Sequence, residues 1–366
     1  MKRRVIYLIL IFAIILGGCS WMDGSYVSVT PHHEKLSEIQ TDMLSASTYQ
    51  ELRQTLTDLT EAGIQNAVIY VPDYDEAQLE RGMKNAIRYI SQVLPVGAYA
   101  IEKVEYEIGT NAGQPAVSVN ISYLHGRAEL KNIRDAVDME QVKKYIREAL
   151  DGCDSSLVLY VSAYSDLDLE QLVQDYGAEN PDRVMELPQL SVGIYPELGP
   201  SRVIELKFSY QTSRDALRNM QNQVQRVFAS ASLYISQGDA QSQKYAQLFS
   251  FLMERFDYQI ETSITPAYSL LCHGVGDSKT FAMVYATMCR RADVECKVVT
   301  GTKNGEAWYW NLICEDGVYY HVDLLESWSA GELTKLTDDQ MEGYVWDYSA
   351  YPEAVQAEAV TTEPTE

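Results

Sequence analysis

Two stretches of the chain alternate apolar and polar residues with a period of two: "VSVNISY" (Val117–Tyr123) and "VIELKFSY" (Val203–Tyr210). That period predicts half-buried β-strands with one covered face. Turns rich in Gly and Pro, "GTNAGQP" and "PELGPS", precede them. Each strand therefore reads as the second arm of a hairpin. Upstream of the hairpins, a β-branched run leads through a turn into an amphipathic helix. This happens once in "NAVIYVPDYDEAQLERGMKNAIRYI" and again about 90 residues later in "SSLVLYVSAYSDLDLEQLVQDYG". The echo continues beyond the hairpins, where Ser122-Tyr123 and Arg127 match Ser209-Tyr210 and Arg214. The order strand, helix, hairpin, helix thus occurs twice. It predicts a tandem α+β repeat over residues 47–236, in units of about 47–149 and 150–236.

The pattern changes after residue 236. "AQSQKYAQLFSFLMERFDY" has strong helical periodicity, and "HGVGDSKTFAMVYATMC" (His273–Cys289) is a Gly-rich turn entering an apolar helix. Three strand-like runs follow: "ECKVVTGT", "EAWYWNLICEDG" and "VYYHVDLLES". Helices followed by antiparallel strands predict a separate α+β domain over residues 237–350.

The termini read differently. "MKRR" followed by the apolar run "VIYLILIFAIIL" has the charge and length of a secretory signal, residues 1–18. The run is short for a spanning helix, which needs about 20 residues. Leu16-Gly17-Gly18-Cys19 resembles the bacterial lipobox, which implies lipidation of Cys19 and tethering outside the cytoplasm. Residues 19–46 read as a polar spacer, and 351–366 as an acidic, disordered tail. The net charge is −23, and loss of the leader with Lys2, Arg3 and Arg4 makes it more negative. Nucleic acid and anionic headgroups would be repelled, so contact with a membrane is expected through the lipid anchor only.

Chemistry-bearing residues are few. Cys153, Cys272, Cys289, Cys296 and Cys314 remain after Cys19, form no CxxC, and lie beside no His at metal-ligand spacing. No metal or cofactor is expected. Cys272 and Cys289 lie in apolar runs and read as buried thiols. Cys296 and Cys314 fall on neighbouring predicted strands, which leaves a disulfide open.

Residues 238–350 resemble the transglutaminase-like superfamily, in its bacterial secreted and lipoprotein branch. "GVGDSKTFA" matches that family's turn in Gly276, Asp277, Phe281 and Ala282, with Ser278 where the nucleophilic Cys belongs. "GEAWYWNLI" matches a His-Ala-Trp-Asn pattern in Gly305, Trp310 and Asn311, with Trp308 where the His belongs. "YYHVD" supplies Asp323 at the Asp position, and "LTDDQMEGYVWDYSAYP" is similar to the closing segment of these lipoproteins. The resemblance implies a papain-like fold with two of three catalytic positions changed.

The chemistry of the replacements decides what to expect. A thiol ionises readily, whereas a Ser hydroxyl depends on an adjacent base. An indole N–H can only donate. The expectation is therefore a degenerate triad at Ser278, Trp308 and Asp323, in a protein that binds peptide, glycan or a surface partner. One alternative is a Ser-based hydrolase or acyl transferase with His321 as base, since His321 and Asp323 share a face of a regular strand. His273 is a weaker candidate base, and Cys272 a weaker candidate nucleophile. Another alternative is an assembly protein acting through the repeat. Ser278 or Asp277 is expected to cap the helix, and Asp323 to bond the Trp308 indole.

Overall fold

A computed structural model of the chain describes residues 44–259 and 263–355. The signal, Cys19, nearly all of the spacer and residues 356–366 lie outside the described residues. Among the described residues no helix is long and apolar enough to cross a membrane.

The first sheet joins β1 (Leu44–Ser45), β2 (Asn66–Tyr70), β3 (Ile101–Asn111) and β4 (Gln114–Tyr123) in the order β1-β2-β4-β3. Helices α1 (Tyr49–Glu61) and α2 (Glu76–Gln92) pack on it through Leu52, Leu56, Leu59, Met83 and Ile90, against Val117, Val119 and Ile121. A short helix α3 (Pro95–Ala100) precedes β3, and a single turn α4 (Arg127–Leu130) follows β4. The hairpin turn holds Ala112 at φ 49° and Gly113 at φ 81°. Two positive φ values in a two-residue loop match the right-handed twist of the flanking strands.

The second sheet joins β5 (Arg134–Ala136), β6 (Ser156–Val161), β7 (Gln189–Tyr195) and β8 (Arg202–Ser209) in the order β5-β6-β8-β7. Both sheets open with a short parallel edge strand and close with an antiparallel hairpin. Helices α5 (Met139–Gly152) and α6 (Leu169–Glu179) cover the second sheet, and α7 (Arg214–Ser232) leaves it. Carboxylates cap α2, α5 and α6: Asp75, Asp138 and Asp168 each accept the N–H of a Gln three residues on.

The second unit begins near Arg134, not at residue 150. The reason is packing, since Val142, Ile146, Ala149 and Leu150 of α5 are buried against β6 and β8. The equivalence of Arg127 with Arg214 holds only at the helix start. Arg127 opens one turn, whereas Arg214 opens 19 residues.

The remaining chain builds around α9 (Ser278–Arg291), which is buried on most sides. Val224 and Phe228 of α7 and Tyr245, Leu248 and Leu252 of α8 (Gln241–Met253) surround Phe281, Val284, Tyr285 and Met288. Strands β9 (Asp257–Tyr258) and β10 (Val275–Gly276) pair in parallel just before α9. Beside them lies an antiparallel sheet, β13-β12-β11-β14, of β11 (Cys296–Lys303), β12 (Glu306–Glu315), β13 (Val318–Val322) and β14 (Tyr344–Trp346). Ile313 and Val322 face α9, whereas Trp310, Leu312 and Trp346 form a separate cluster with Met341 and Ala354. Helix α10 (Leu324–Ala330) follows β13.

One reading of this region is corrected. Residues 351–355 belong to the fold rather than to the acidic tail. Ala354 is buried, its N–H bonds Asp338 Oδ1 at 3.1 Å, and its carbonyl accepts from Asp338 N at 2.8 Å. The cysteines 153, 272, 289, 296 and 314 are free thiols. Cys296 pairs with Ile313, so Cys314 emerges on the other face of β12.

Close approach of β14 to β11 depends on Gly301. A Cβ there would lie 2.3 Å from the Val345 carbonyl oxygen and 2.7 Å from the Trp310 ring. Gly301→Ala is therefore expected to destabilise the protein by about 1–3 kcal/mol, the usual cost of overpacking. Urea denaturation measures it, and an unchanged midpoint would contradict the packing described.

Candidate functional site

The chain enters α9 through a turn that needs glycine. Gly274 has φ 86°, a left-handed conformation that a side chain disfavours. Pairing of β9 with β10 then sets Tyr258 opposite Gly276. Asp277 is the helix cap: its Oδ1 accepts from Thr280 N at 2.8 Å and from the Thr280 hydroxyl at 2.5 Å. Ser278, the first helical residue, is relieved of capping and is buried.

Asp323 ends β13 and caps α10 in turn. Its Oδ1 accepts from Leu325 N at 3.0 Å and Glu326 N at 3.3 Å. Its Oδ2 accepts from the Trp308 indole Nε1 at 2.7 Å, the Tyr344 hydroxyl at 2.7 Å and Lys303 Nζ at 3.4 Å. The Lys303 ammonium also pairs with Glu326 and lies 5.0 Å from the Trp308 ring centre and 5.1 Å from that of Tyr344. Burial, then the Asp323 charge, pushes the Tyr344 phenol far up, so it remains a donor. Trp308 and Asp323 are thus brought together as expected.

Tyr258 links this cluster to the start of α9. Its ring lies 5.9 Å from that of Trp308. Its phenol is pushed up by burial first, then by the charges of Asp277, Glu306 and Asp323. Tyr258 thus touches the Trp308 ring from the strand that pairs with the residue before the helix cap.

His321 is not the base of this site. Its ring is fully buried, and both nitrogens are engaged. Nδ1 accepts from the Trp310 indole at 2.9 Å, so the proton resides on Nε2, which donates to Asp338 Oδ1 at 2.9 Å. Burial lowers its pKa despite Asp338, and the ring is neutral. His321 and Asp323 do emerge on one side of the sheet, but Trp310 and Trp346 occupy the space beside His321. No hydrogen bond joins Ser278 Oγ to Trp308, His321 or Asp323. His273 packs edge-on against Tyr268. Burial raises the pKa of the Cys272 thiol, which packs against the core. The Ser278, His321, Asp323 relay is therefore absent.

Four participants escaped the sequence reading: Tyr258, Lys303, Asp338 and Tyr344. Asp338 and Tyr344 lie in the closing segment "LTDDQMEGYVWDY", whose acid and aromatic residues were the available signal. Lys303 and Tyr258 carried none, because their roles follow from strand pairing. Two cavities of about 970 and 640 Å³ flank α9, and Lys279 and Met283 line both. Ser278, Trp308 and Asp323 line neither. Among the described residues no cluster of His, Cys, Asp and Glu could hold a metal ion.

The cluster can hold and orient, and none of its hydrogen bonds reaches the Ser278 hydroxyl. Trp308 supplies a donor only, and Asp323 is saturated by five donors.

Residues 230–355 match the family model described as the core of the transglutaminase-like superfamily, so this part of the chain is a transglutaminase-like domain of papain-like fold. Among solved structures, the chain is similar to a transglutaminase, described as a TGase, at 10% identity and TM-score 0.26, over 46% of this chain and 50% of that one. It is also similar to a putative protease from Parabacteroides distasonis at 8% identity and TM-score 0.22, over 70% of this chain and 39% of the other. A third is a putative cysteine protease from Cytophaga hutchinsonii, at 12% identity and TM-score 0.24, over 43% and 70%. The matched region thus spans half or less of the first two of those chains. No curated protein matches the chain significantly.

The neutral His321 makes a signed prediction. Its folded pKa is depressed below the unfolded value near 6.5. Its contribution is therefore full above pH 6.5 and falls as acid protonates the unfolded chain first. Replacing it by Gln is expected to cost about 2 kcal/mol at pH 7.5 through the broken buried network. The wild-type advantage is expected to narrow as pH falls towards 5. Denaturation at several pH values tests this, and a widening gap would contradict it.

Proposed function

We propose that the protein is a membrane-tethered extracellular lipoprotein whose transglutaminase-like domain binds rather than catalyses. One observation carries this reading: the Trp308 indole occupies Asp323 with a 2.7 Å hydrogen bond, at the position where the family resemblance has a His. A catalytic His–Asp pair has become a structural Trp–Asp pair. Without a base, a Ser hydroxyl at position 278 is a poor nucleophile. Tyr258, Trp308 and Tyr344 supply aromatic surface suited to holding a ligand in place.

The anchoring half of the proposal rests on the leader and Cys19. Cys19→Ala is expected to release the protein from the membrane fraction into the medium of the producing cells. Retention in the membrane fraction would argue against a lipid tether.

The binding half is tested by turnover. Peptide, amide and transamidation substrates are expected to show no conversion by the wild-type protein beyond that by Ser278→Ala. Turnover lost in that variant would overturn the reading. The scaffold permits a converse test. Ser278→Cys alone introduces a thiol without a base, whereas Ser278→Cys with Trp308→His places an imidazole beside Asp323. The double variant is expected to be alkylated by iodoacetamide at pH 6 at least about tenfold faster at position 278 than the single one, because a His-paired thiol has a depressed pKa. Equal rates would mean that Trp308 does not hold the base position.

A further inference from the structure

Strand β11 has an edge that its own sheet leaves half covered. In the antiparallel ladder with β12, Cys314 N donates to the Glu295 carbonyl. Alternation along the pair then directs the backbone N–H and C=O of Lys297, Val299 and Gly301 towards β12, and those of Cys296, Val298 and Thr300 outwards. Strand β14 takes up the outer edge only at Gly301–Lys303. Beyond it, the Thr300 N–H donates to the Tyr351 hydroxyl at 3.2 Å. The outward groups of Val298 have no hydrogen-bond partner among the described residues.

The free part of this edge faces a recess. It forms one wall of the cavity of about 970 Å³, whose other walls are α9 at Met283 and Arg290 and α6 at Gln174 and Ala178. The second unit is held against α9 by charge: Arg291 bonds Asp182 at 2.6 Å, and Arg290 bonds the Glu179 carbonyl at 2.8 Å. The rim carries both signs: Lys279, Lys297, Asp175 and Glu179 line it, and Lys297 pairs with Glu295 at 3.4 Å.

We infer that this recess is a binding site for an extended peptide, which adds a strand to β11 along the line that β14 leaves at Gly301. The occupant follows from the wall itself. The outward N–H and C=O of every second residue, free at Val298, are matched by another extended backbone, whose N–H and C=O pairs recur at the same two-residue spacing. An added strand lies about 4.8 Å from β11, within the recess, and its alternate side chains point to α9. A bare edge normally invites aggregation. Here α6 and α9 flank it, so a single chain enters and a second sheet is excluded. The rim of both charge signs suits a peptide better than a polyanion. This site lies apart from Ser278, Trp308 and Asp323, and its existence does not depend on whether those residues catalyse.

The test uses the purified full chain and a displayed library of random twelve-residue peptides. The best enriched peptide is then synthesised with backbone N-methylation at each position in turn. Strand addition predicts that methylation at alternate positions weakens binding at least tenfold and that intervening positions change it less than twofold. It also predicts that the Val298 amide exchanges more slowly when the peptide is bound. Val298→Pro removes an outward N–H without touching the β12 ladder, and is expected to weaken binding at least tenfold. Failure to enrich any peptide would overturn the inference. So would binding without the alternation or with unchanged Val298 exchange, which also covers the case in which the proline variant does not fold. Concentration-dependent self-association lost in Val298→Pro would replace the peptide by a second copy of this chain and overturn it equally. Ser278→Ala is expected to leave peptide affinity unchanged.

Discussion

The carboxylate of Asp323 is the constraint around which the C-terminal domain is arranged. It is almost wholly buried, and a buried carboxylate is tolerable only if both oxygens are satisfied. Five donors meet it, from β11, β12, β14 and the first turn of α10. Three of them, Lys303, Trp308 and Tyr344, each tie a separate strand to this one point. Tyr344 can reach Asp323 because Gly301 lets β14 approach β11. Lys303 can reach it because β11 and β12 end in a tight turn at Asn304 and Gly305, both with positive φ. The same carboxylate begins a helix, so the loss of one donor would be felt across the sheet.

This arrangement explains how a Trp at position 308 serves the fold. An indole N–H can donate to Asp323 as an imidazole N–H would, so the carboxylate keeps its partner. It cannot return a proton to a neighbouring hydroxyl. Satisfying the buried carboxylate therefore requires only a donor at this position, not a base. The one buried histidine nearby is spent elsewhere: His321 is fixed between Trp310 and Asp338, where it joins the closing segment to the sheet. Two indole–acceptor pairs, Trp308 with Asp323 and Trp310 with His321, thus lie side by side on one face of β12.

The second N-terminal unit bears on this domain through its ends. Helix α7 leaves the second sheet and packs its Val224 and Phe228 into the core around α9. Asp182, which follows α6, receives Arg291 from the far end of α9. The central helix is consequently held by apolar burial along its length and by charge at its last turn. Its outer flank stays free, beside the uncovered part of β11. The second unit both completes the core around α9 and walls a recess.

The periodicity of "VSVNISY" and "VIELKFSY", the Gly-rich entry to α9 and the strand order around "EAWYWN" were legible in the sequence, because side-chain alternation and turn chemistry are local properties. The identity of Trp308 and the Asp323 hydrogen bond were legible too, since an indole at that register has only one function to offer. Domain edges were less so: α5 looks equally amphipathic whichever sheet it joins, and Ala354 carries no local sign of burial. The fate of His321 was invisible. Its two-residue spacing from Asp323 is the same whether it faces a nucleophile or Trp310, and only the packing of Trp346 and the return of Asp338 decide which. The sequence by itself determined which atoms could donate or accept. The tertiary structure alone decided which of them meet, because hydrogen bonds between residues 15 to 21 positions apart depend on strand register and on the crossing of segments that no local pattern records.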